Sequence, residues 1–172
     1  MNSSATSEKK YLLDTAAGQA AWIRETFIAQ TVRLAAAGFS DVAFLVIGQG
    51  IETMGAFLDK KPFRAPGQSR ERFGKALEEL FPPRYAALNG RDFLYRNLRS
   101  SLTHLSVGSP HLVLALSETT SPGRHLSIRD KKTILVLENL LEDYRIAWER
   151  VIERLETGIL RIKPLAVADK TG

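Results

Sequence analysis

The chain contains no cysteine, which excludes thiol nucleophiles, disulfide frameworks and cysteine-ligated zinc or iron–sulfur sites. Histidine is scarce, with three in 172 residues: His104, His111 and His125. Long apolar runs are missing as well. The longest, Val42 to Ile47, falls far short of the roughly 20 residues a membrane-spanning helix needs, and Met1 to Lys10 carries no apolar signal-peptide core. What is present, 44% hydrophobic and 25% charged residues, is the composition of one folded domain with a buried core. These absences set the first expectations: a cytoplasmic protein with no membrane partner and no cofactor.

Hydrophobic periodicity points to helices. Residues 1–10 read as a disordered arm, 11–160 as a single helical domain and 161–172 as an extended or loose tail. Ala20, Ile23, Phe27, Val32 and Leu34 recur at helical spacing until Gly38. A second helix over Val42–Leu58, capped by Ser40 or Asp41, is apolar on several faces and carries Gly48 and Gly55 on one stripe. Pro62, Pro66 and Gly67 mark a loop. A third helix then starts at Ser69 and stops at Pro82–Pro83, and a fourth runs from about Gly90 to Leu105. His111–Ser117 and His125–Arg129 read as a hairpin, after which Asp130 caps a long last helix reaching Gly158. The expected fold is therefore mainly α: about five helices in an up-and-down bundle, with one inserted β-hairpin before the last long helix.

Familiar site motifs are weak here. Gly48-Gln49-Gly50 has the first two glycines of a dinucleotide fingerprint, but Thr53 stands at the third position and no strand precedes it, so close helix packing explains it better. Pairing around the hairpin turn sets His125 opposite Leu116 rather than His111, which makes exposed strand histidines a simpler reading than a metal site. Glu52 lies in the most apolar helix, four residues after Gly48, so it must point outward or meet a cation. The basic fourth helix is a conceivable source of that cation.

Charge is unevenly spread. Of 24 basic and 19 acidic residues, ten basic and four acidic fall between Lys60 and Arg99, so that segment is net +6 and the rest of the chain −1. Most of the ten are Arg, whose planar fork suits phosphate oxygens. A solvated face that only confers solubility is the plainer account. Within the segment lies Phe93-Leu94-Tyr95-Arg96-Asn97-Leu98-Arg99-Ser100-Ser101-Leu102-Thr103-His104. An Arg followed after four residues by His, late in a basic amphipathic helix and preceded by a Leu-Tyr pair, resembles the R-x4-6-H signature of the HEPN superfamily. Ser100 departs from the Asn, Asp or His that most often follows that Arg. Ile51-Glu52-Thr53-Met54-Gly55 and Leu80-Phe81-Pro82-Pro83-Arg84-Tyr85 add to the similarity, which spans about Tyr11 to Leu160.

The resemblance implies a metal-independent endoribonuclease of a bacterial toxin–antitoxin or defence system. It further implies a homodimer with a composite site, and an antitoxin or regulatory protein as a possible second partner. Arg99 and His104 are then catalytic, Asn97 and Ser100 supporting, and Arg84, Arg91 and Arg96 contacts to the RNA backbone. The chemistry also stands by itself. The RNA 2′-hydroxyl can attack the adjacent phosphorus if a base removes its proton and a cation steadies the phosphoryl oxygens, tasks that His and Arg can share without a metal. Residues five apart in an α-helix lie about 140° apart around the axis and about 7.5 Å along it. Either the helix distorts, the Arg reaches around, or two chains combine their helices. The alternative is a non-catalytic dimeric RNA-binding or protein-interaction module, with the hairpin offering an edge strand.

Overall fold

The computed structural model describes residues 13–101 and 109–165. It is mainly helical with a small sheet ahead of the last helix, as expected. Helix α1 (Ala16–Ile23) starts at Thr15, whose hydroxyl accepts from the Gly18 N–H at 3.0 Å. It runs through a π-helical segment, Arg24–Ala29, into α2 (Gln30–Ala36). Gly38, at φ +81°, turns the chain into α3 (Ser40–Leu58). The expected capping bond from Ser40 or Asp41 is not made: the N-cap position is Phe39, with no side-chain cap.

Helix α3 is the centre of the molecule. Phe44, Ile47, Ile51, Met54 and Phe57 are buried against Phe73, Leu77 and Leu80 of α4 (Ser69–Leu80) and against Tyr144, Trp148 and Val151 of the last helix, α6 (Leu137–Glu156). By length and mean hydropathy α3 qualifies as a candidate membrane span, but 56% of that stretch is buried inside this fold. Apolarity on several faces here reflects neighbours on several sides.

Pro82–Pro83 does more than end α4. Pro83 opens a short helix, α5 (Pro83–Leu88), at the position where a missing N–H costs nothing. A 3₁₀ turn at Gly90–Asp92 follows, with Arg91 and Asp92 at φ 55° and 59°. The arginine-rich helix thus begins at 93 rather than 90, and within it Tyr95–Ser100 is π-helical.

The sheet differs from the hairpin read off the sequence. Strand β1 (Leu112–Ala115) pairs in parallel with β3 (Lys132–Val136), Leu112 opposite Thr133, while β2 (Ile128–Arg129) pairs antiparallel with β3, giving the order β1-β3-β2. The hairpin is therefore β2–β3. Its two turn residues, Asp130 and Lys131, have φ 50° and 62°, the handedness that two-residue hairpin turns require. Residues 132–136, assigned to the last helix by periodicity, form the central strand because Thr133, Ile134 and Val136 are β-branched and buried from both sides. Helix α6 consequently starts at Leu137, not at Asp130.

Candidate functional site

Gly48, Glu52, Gly55 and Asp59 follow one another along a single stripe of α3, Asp59 being its C-cap. Each glycine admits another segment of chain, and each carboxylate four residues on takes the arginine that segment carries. A β-carbon at Gly48 would lie 3.2 Å from the Arg99 Cα, and one at Gly55 would lie 2.0 Å from the Arg72 carbonyl oxygen. The Arg99 Nε donates to Glu52 Oε2 at 2.6 Å, and the Arg72 Nε donates to Asp59 Oδ2 at 2.7 Å. Of the two alternatives for Glu52, pointing outward or meeting a cation, the structure takes the second, and the cation is Arg99 of the arginine-rich helix.

The two clasps differ in exposure. Arg72 is 6% exposed and also donates to the carbonyls of Phe63 and Pro62, at 2.7 and 2.8 Å. Asp59 receives a second cation, the Lys163 ammonium at 2.8 Å, which also donates to the carbonyls of Ala56 and Lys61 at 2.6 and 2.9 Å. Residues 161–165 are thereby extended and fastened to the C-terminal end of α3. Burial pushes the Asp59 carboxyl up, but the hydrogen bonds and charges of Arg72 and Lys163 outweigh it and hold it below the usual carboxylate range. The Arg99–Glu52 pair is more open, with side chains 14% and 20% exposed.

Arg99 sits in the π-helical segment. There the Ser101 N–H donates to the carbonyl of Arg96, five residues back, and the Ser101 hydroxyl donates to the same oxygen at 2.8 Å. The Asn97 side-chain amide donates to the Phe93 carbonyl at 2.7 Å, occupying the acceptor that an α-helical Asn97 N–H would use. The other π segment is followed by the same device, the Thr31 hydroxyl donating to the Phe27 carbonyl at 2.5 Å. π-Turns inside α-helices occur frequently at functional sites.

Among the remaining sequence-derived site residues, Asn97 is committed to structure, since its Oδ1 also accepts from the Ser109 hydroxyl. Ser100 is half-buried beside Arg99, and His104 lies outside the described residues. Arg91 and Arg96 are exposed. Arg84 is exposed too, but donates to Asp143 at 3.1 Å. The +6 segment is less of a phosphate-facing strip than its charge count suggests. Lys61, Arg70, Arg72, Lys75, Arg84 and Arg99 are all in ion pairs, leaving Lys60, Arg64, Arg91 and Arg96 without one among the described residues.

His125 is not the exposed strand histidine expected. It is 7% exposed, and its Nδ1 accepts the Val136 N–H at 3.0 Å. The ring proton therefore sits on Nε2, which donates to the Tyr85 hydroxyl at 2.8 Å, and that hydroxyl donates to Asp143 Oδ2 at 2.7 Å. Burial, then the nearby Arg84 charge, lowers the His125 pKa to about 4 against the opposing pull of Asp143. Burial and then the bond to Asp143 push the Tyr85 hydroxyl up. This chain joins α5, the sheet and α6. No spacing signal in the sequence marks it, because its members lie 40 and 58 residues apart. His111 is exposed, and among the described residues no three His, Asp or Glu side chains group to hold a metal. The chain matches no family model, no curated protein and no solved structure.

Proposed function

We propose that the protein is a metal-independent endoribonuclease acting as a homodimer in the cytoplasm, in a toxin or defence role, with Arg99 and His104 as its catalytic pair. One observation carries the reading: the guanidinium of Arg99 is held by Glu52 on a distorted turn of the arginine-rich helix, five residues before His104. A cation fixed in advance stabilises developing phosphoryl charge without reorganising in the transition state. His104 takes the 2′-hydroxyl proton as the 2′-oxygen bonds to phosphorus. The bond from phosphorus to the 5′-oxygen then breaks, and the proton passes to that leaving oxygen. The products are a 2′,3′-cyclic phosphate and a 5′-hydroxyl end. Arg91 and Arg96, exposed and with no ion pair among the described residues, meet the RNA backbone.

The second reading is a non-catalytic RNA-binding or protein-interaction dimer, with an antitoxin-like or regulatory partner. It is favoured by the same clasp seen from the other side, since Glu52 neutralises much of the charge Arg99 would offer a phosphate. Labelled single-stranded RNA incubated with the purified protein in excess EDTA separates the two. Cleavage leaving cyclic phosphate ends, reduced about 10²–10⁴-fold in His104→Ala and lost in Arg99→Lys but kept in His111→Ala, supports the nuclease. RNA binding without cleavage supports the module. Cleavage that survives His104→Ala overturns the catalytic assignment.

A further inference from the structure

Beside the Glu52–Arg99 clasp, a half-open cleft of about 280 Å³ lies between α1, α3, the α3–α4 loop and Leu165. Trp22, Ala56 and Phe63 form its apolar walls, and Glu52 and Arg64 supply opposite charges. Both rings are braced from behind, Trp22 edge-on to Phe27 and Phe63 edge-on to Phe57, each with centroids 5.2 Å apart. Most other polar groups at the cleft are already engaged. Arg72 is held by Asp59 and two carbonyls, and the Thr53 hydroxyl donates to the Gln49 carbonyl at 3.0 Å. Glu52 accepts from Arg99 through Oε2, and Arg64 is exposed with no ion pair among the described residues.

The cleft thus combines braced aromatic side chains, an acceptor-only carboxylate and one exposed guanidinium with no ion pair among the described residues. A planar heteroaromatic ring suits the aromatic walls, because stacking is sequence-tolerant and favourable for any base. The volume admits one such ring and no base pair. The carboxylate then selects among bases. It can only accept hydrogen bonds, and of the four RNA bases only guanine presents two adjacent donors, N1–H and the N2 amino group, on its Watson–Crick edge. Adenine and cytosine set an acceptor beside their single amino group, and uracil flanks its one N–H with two carbonyls, so each would place a lone pair against Glu52.

We infer that this cleft binds one unpaired guanine, with Glu52 accepting from N1–H and the N2 amino group and Arg64 meeting the nucleotide's phosphate. As a site on RNA it rests on the reading of the protein as an RNA-acting one, and it makes Glu52 a link between base selection and the position of Arg99.

The test is calorimetric titration of the full-length protein with the 5′-monophosphates of guanosine, adenosine, cytidine and uridine. Trp22 fluorescence locates the site, because the only other tryptophan, Trp148, is fully buried. Expected are saturable binding of the guanosine nucleotide, about tenfold or more tighter than the other three, and quenching that disappears in Trp22→Phe. Glu52→Gln should bind guanosine and adenosine monophosphates alike, because an amide offers one donor and one acceptor face. Arg64→Ala, at an exposed position that leaves the fold intact, should weaken the monophosphate severalfold and leave the free nucleoside unchanged. That ratio decides the matter even if Glu52→Gln does not fold. Equal affinity for all four nucleotides, or no saturation by about 10 mM, overturns the inference. Guanosine nucleotide binding without RNA cleavage keeps the cleft and removes the nuclease. RNA cleavage with no guanine preference keeps the nuclease and removes the cleft.

Discussion

Helix α3 presents two carboxylates seven residues apart, Glu52 and Asp59, each four residues after a glycine and each holding one arginine. Chemically the clasps are twins, and physically they are not. At the C-terminal end the Arg72 guanidinium donates to three acceptors and Asp59 receives two cations, so every charge is compensated and little of it meets solvent. In the middle of the helix Arg99 meets Glu52 through its Nε, more exposed than the first pair, on a π-turn and at the rim of a cleft. A saturated buried pair anchors a fold; a pair left partly open to a cleft can exchange partners with a ligand. Stability should therefore reside in the first clasp and function in the second.

The sharpest way to break this contrast is to remove each arginine in turn. Arg72→Met strands Asp59 between one remaining cation and a desolvated pocket, and the expected loss is about 3–5 kcal/mol. Arg99→Met leaves a carboxylate that water can reach, and the expected loss is about 1–2 kcal/mol. Urea denaturation followed by circular dichroism measures both, and equal losses would erase the distinction. The glycines give the next largest effect. Gly55→Ala would place a methyl 2.0 Å from a backbone oxygen that cannot rotate away, at a cost of about 3 kcal/mol through separation of α3 from α4. Gly48→Ala meets the Arg99 backbone at 3.2 Å, and a shift of a few tenths of an ångström relieves it. Its cost of about 1 kcal/mol is offset by the better helix propensity of Ala. A Gly55→Ala protein as stable as Gly48→Ala would show that the close approach is not what holds α4.

Half of this arrangement is legible in the sequence. A glutamate in an apolar helix must point outward or meet a cation, and the stripe of Gly48 and Gly55 announces close packing, so burial cost makes the arginine-rich helix a candidate partner for Glu52, and the structure identifies that partner as Arg99. Mainly helical architecture with a small inserted sheet is legible for the same reason, namely periodicity. The Asp59–Arg72–Lys163 cluster is not, since Arg72 sits in a run of charges that spacing alone assigns to solvent. The centre of the sheet is hidden for another reason: Thr133-Ile134-Leu135-Val136 runs directly into a true helix, and a short apolar run carries no period of its own. His125 is misread with it, because a histidine in a polar turn gives no sign that Val136 and Tyr85 close over it.

A third comparison uses pH, because His125 and Asp59 both weaken the fold in acid but in different windows. Burial, and then the Arg84 charge, keeps the folded His125 ring neutral down to about pH 4, its Nδ1 accepting the Val136 N–H, while the unfolded ring takes a proton near its ordinary value of 6.5. Between those values the unfolded chain binds a proton that the folded one refuses. Stability should fall by about 2–3 kcal/mol as the pH drops from 6.5 to 4, and show no contribution from His125 above that range. Asp59 acts lower down. Its folded carboxyl titrates below the usual carboxylate range, so its contribution is intact above the ordinary carboxyl value and disappears as the pH falls through the depressed one. Thermal melts of His125→Gln carried from pH 7 down past the ordinary carboxyl value should lose the first step and keep the second. A wild-type curve flat from pH 7 to 4 would refute the neutral, backbone-locked histidine.

The smallest effect concerns the arginines outside both clasps, and it bears on whether the basic segment meets nucleic acid at all. Arg91 and Arg96 are exposed with no ion pair among the described residues, whereas Arg70 is bound to Asp92 at 3.5 Å and Arg84 to Asp143 at 3.1 Å. An unpaired arginine that neutralises one phosphate releases about one counterion, whereas an arginine that must first leave a carboxylate gains less. Arg91→Ala and Arg96→Ala should each lower the slope of log affinity against log salt for single-stranded RNA by about 0.7. Arg70→Ala and Arg84→Ala should change it by distinctly less. Fluorescence anisotropy over a salt series resolves these differences. Four equal decrements would mean that the ion pairs open freely on contact with RNA, and no decrement in any variant would return the segment to the status of a solvated face.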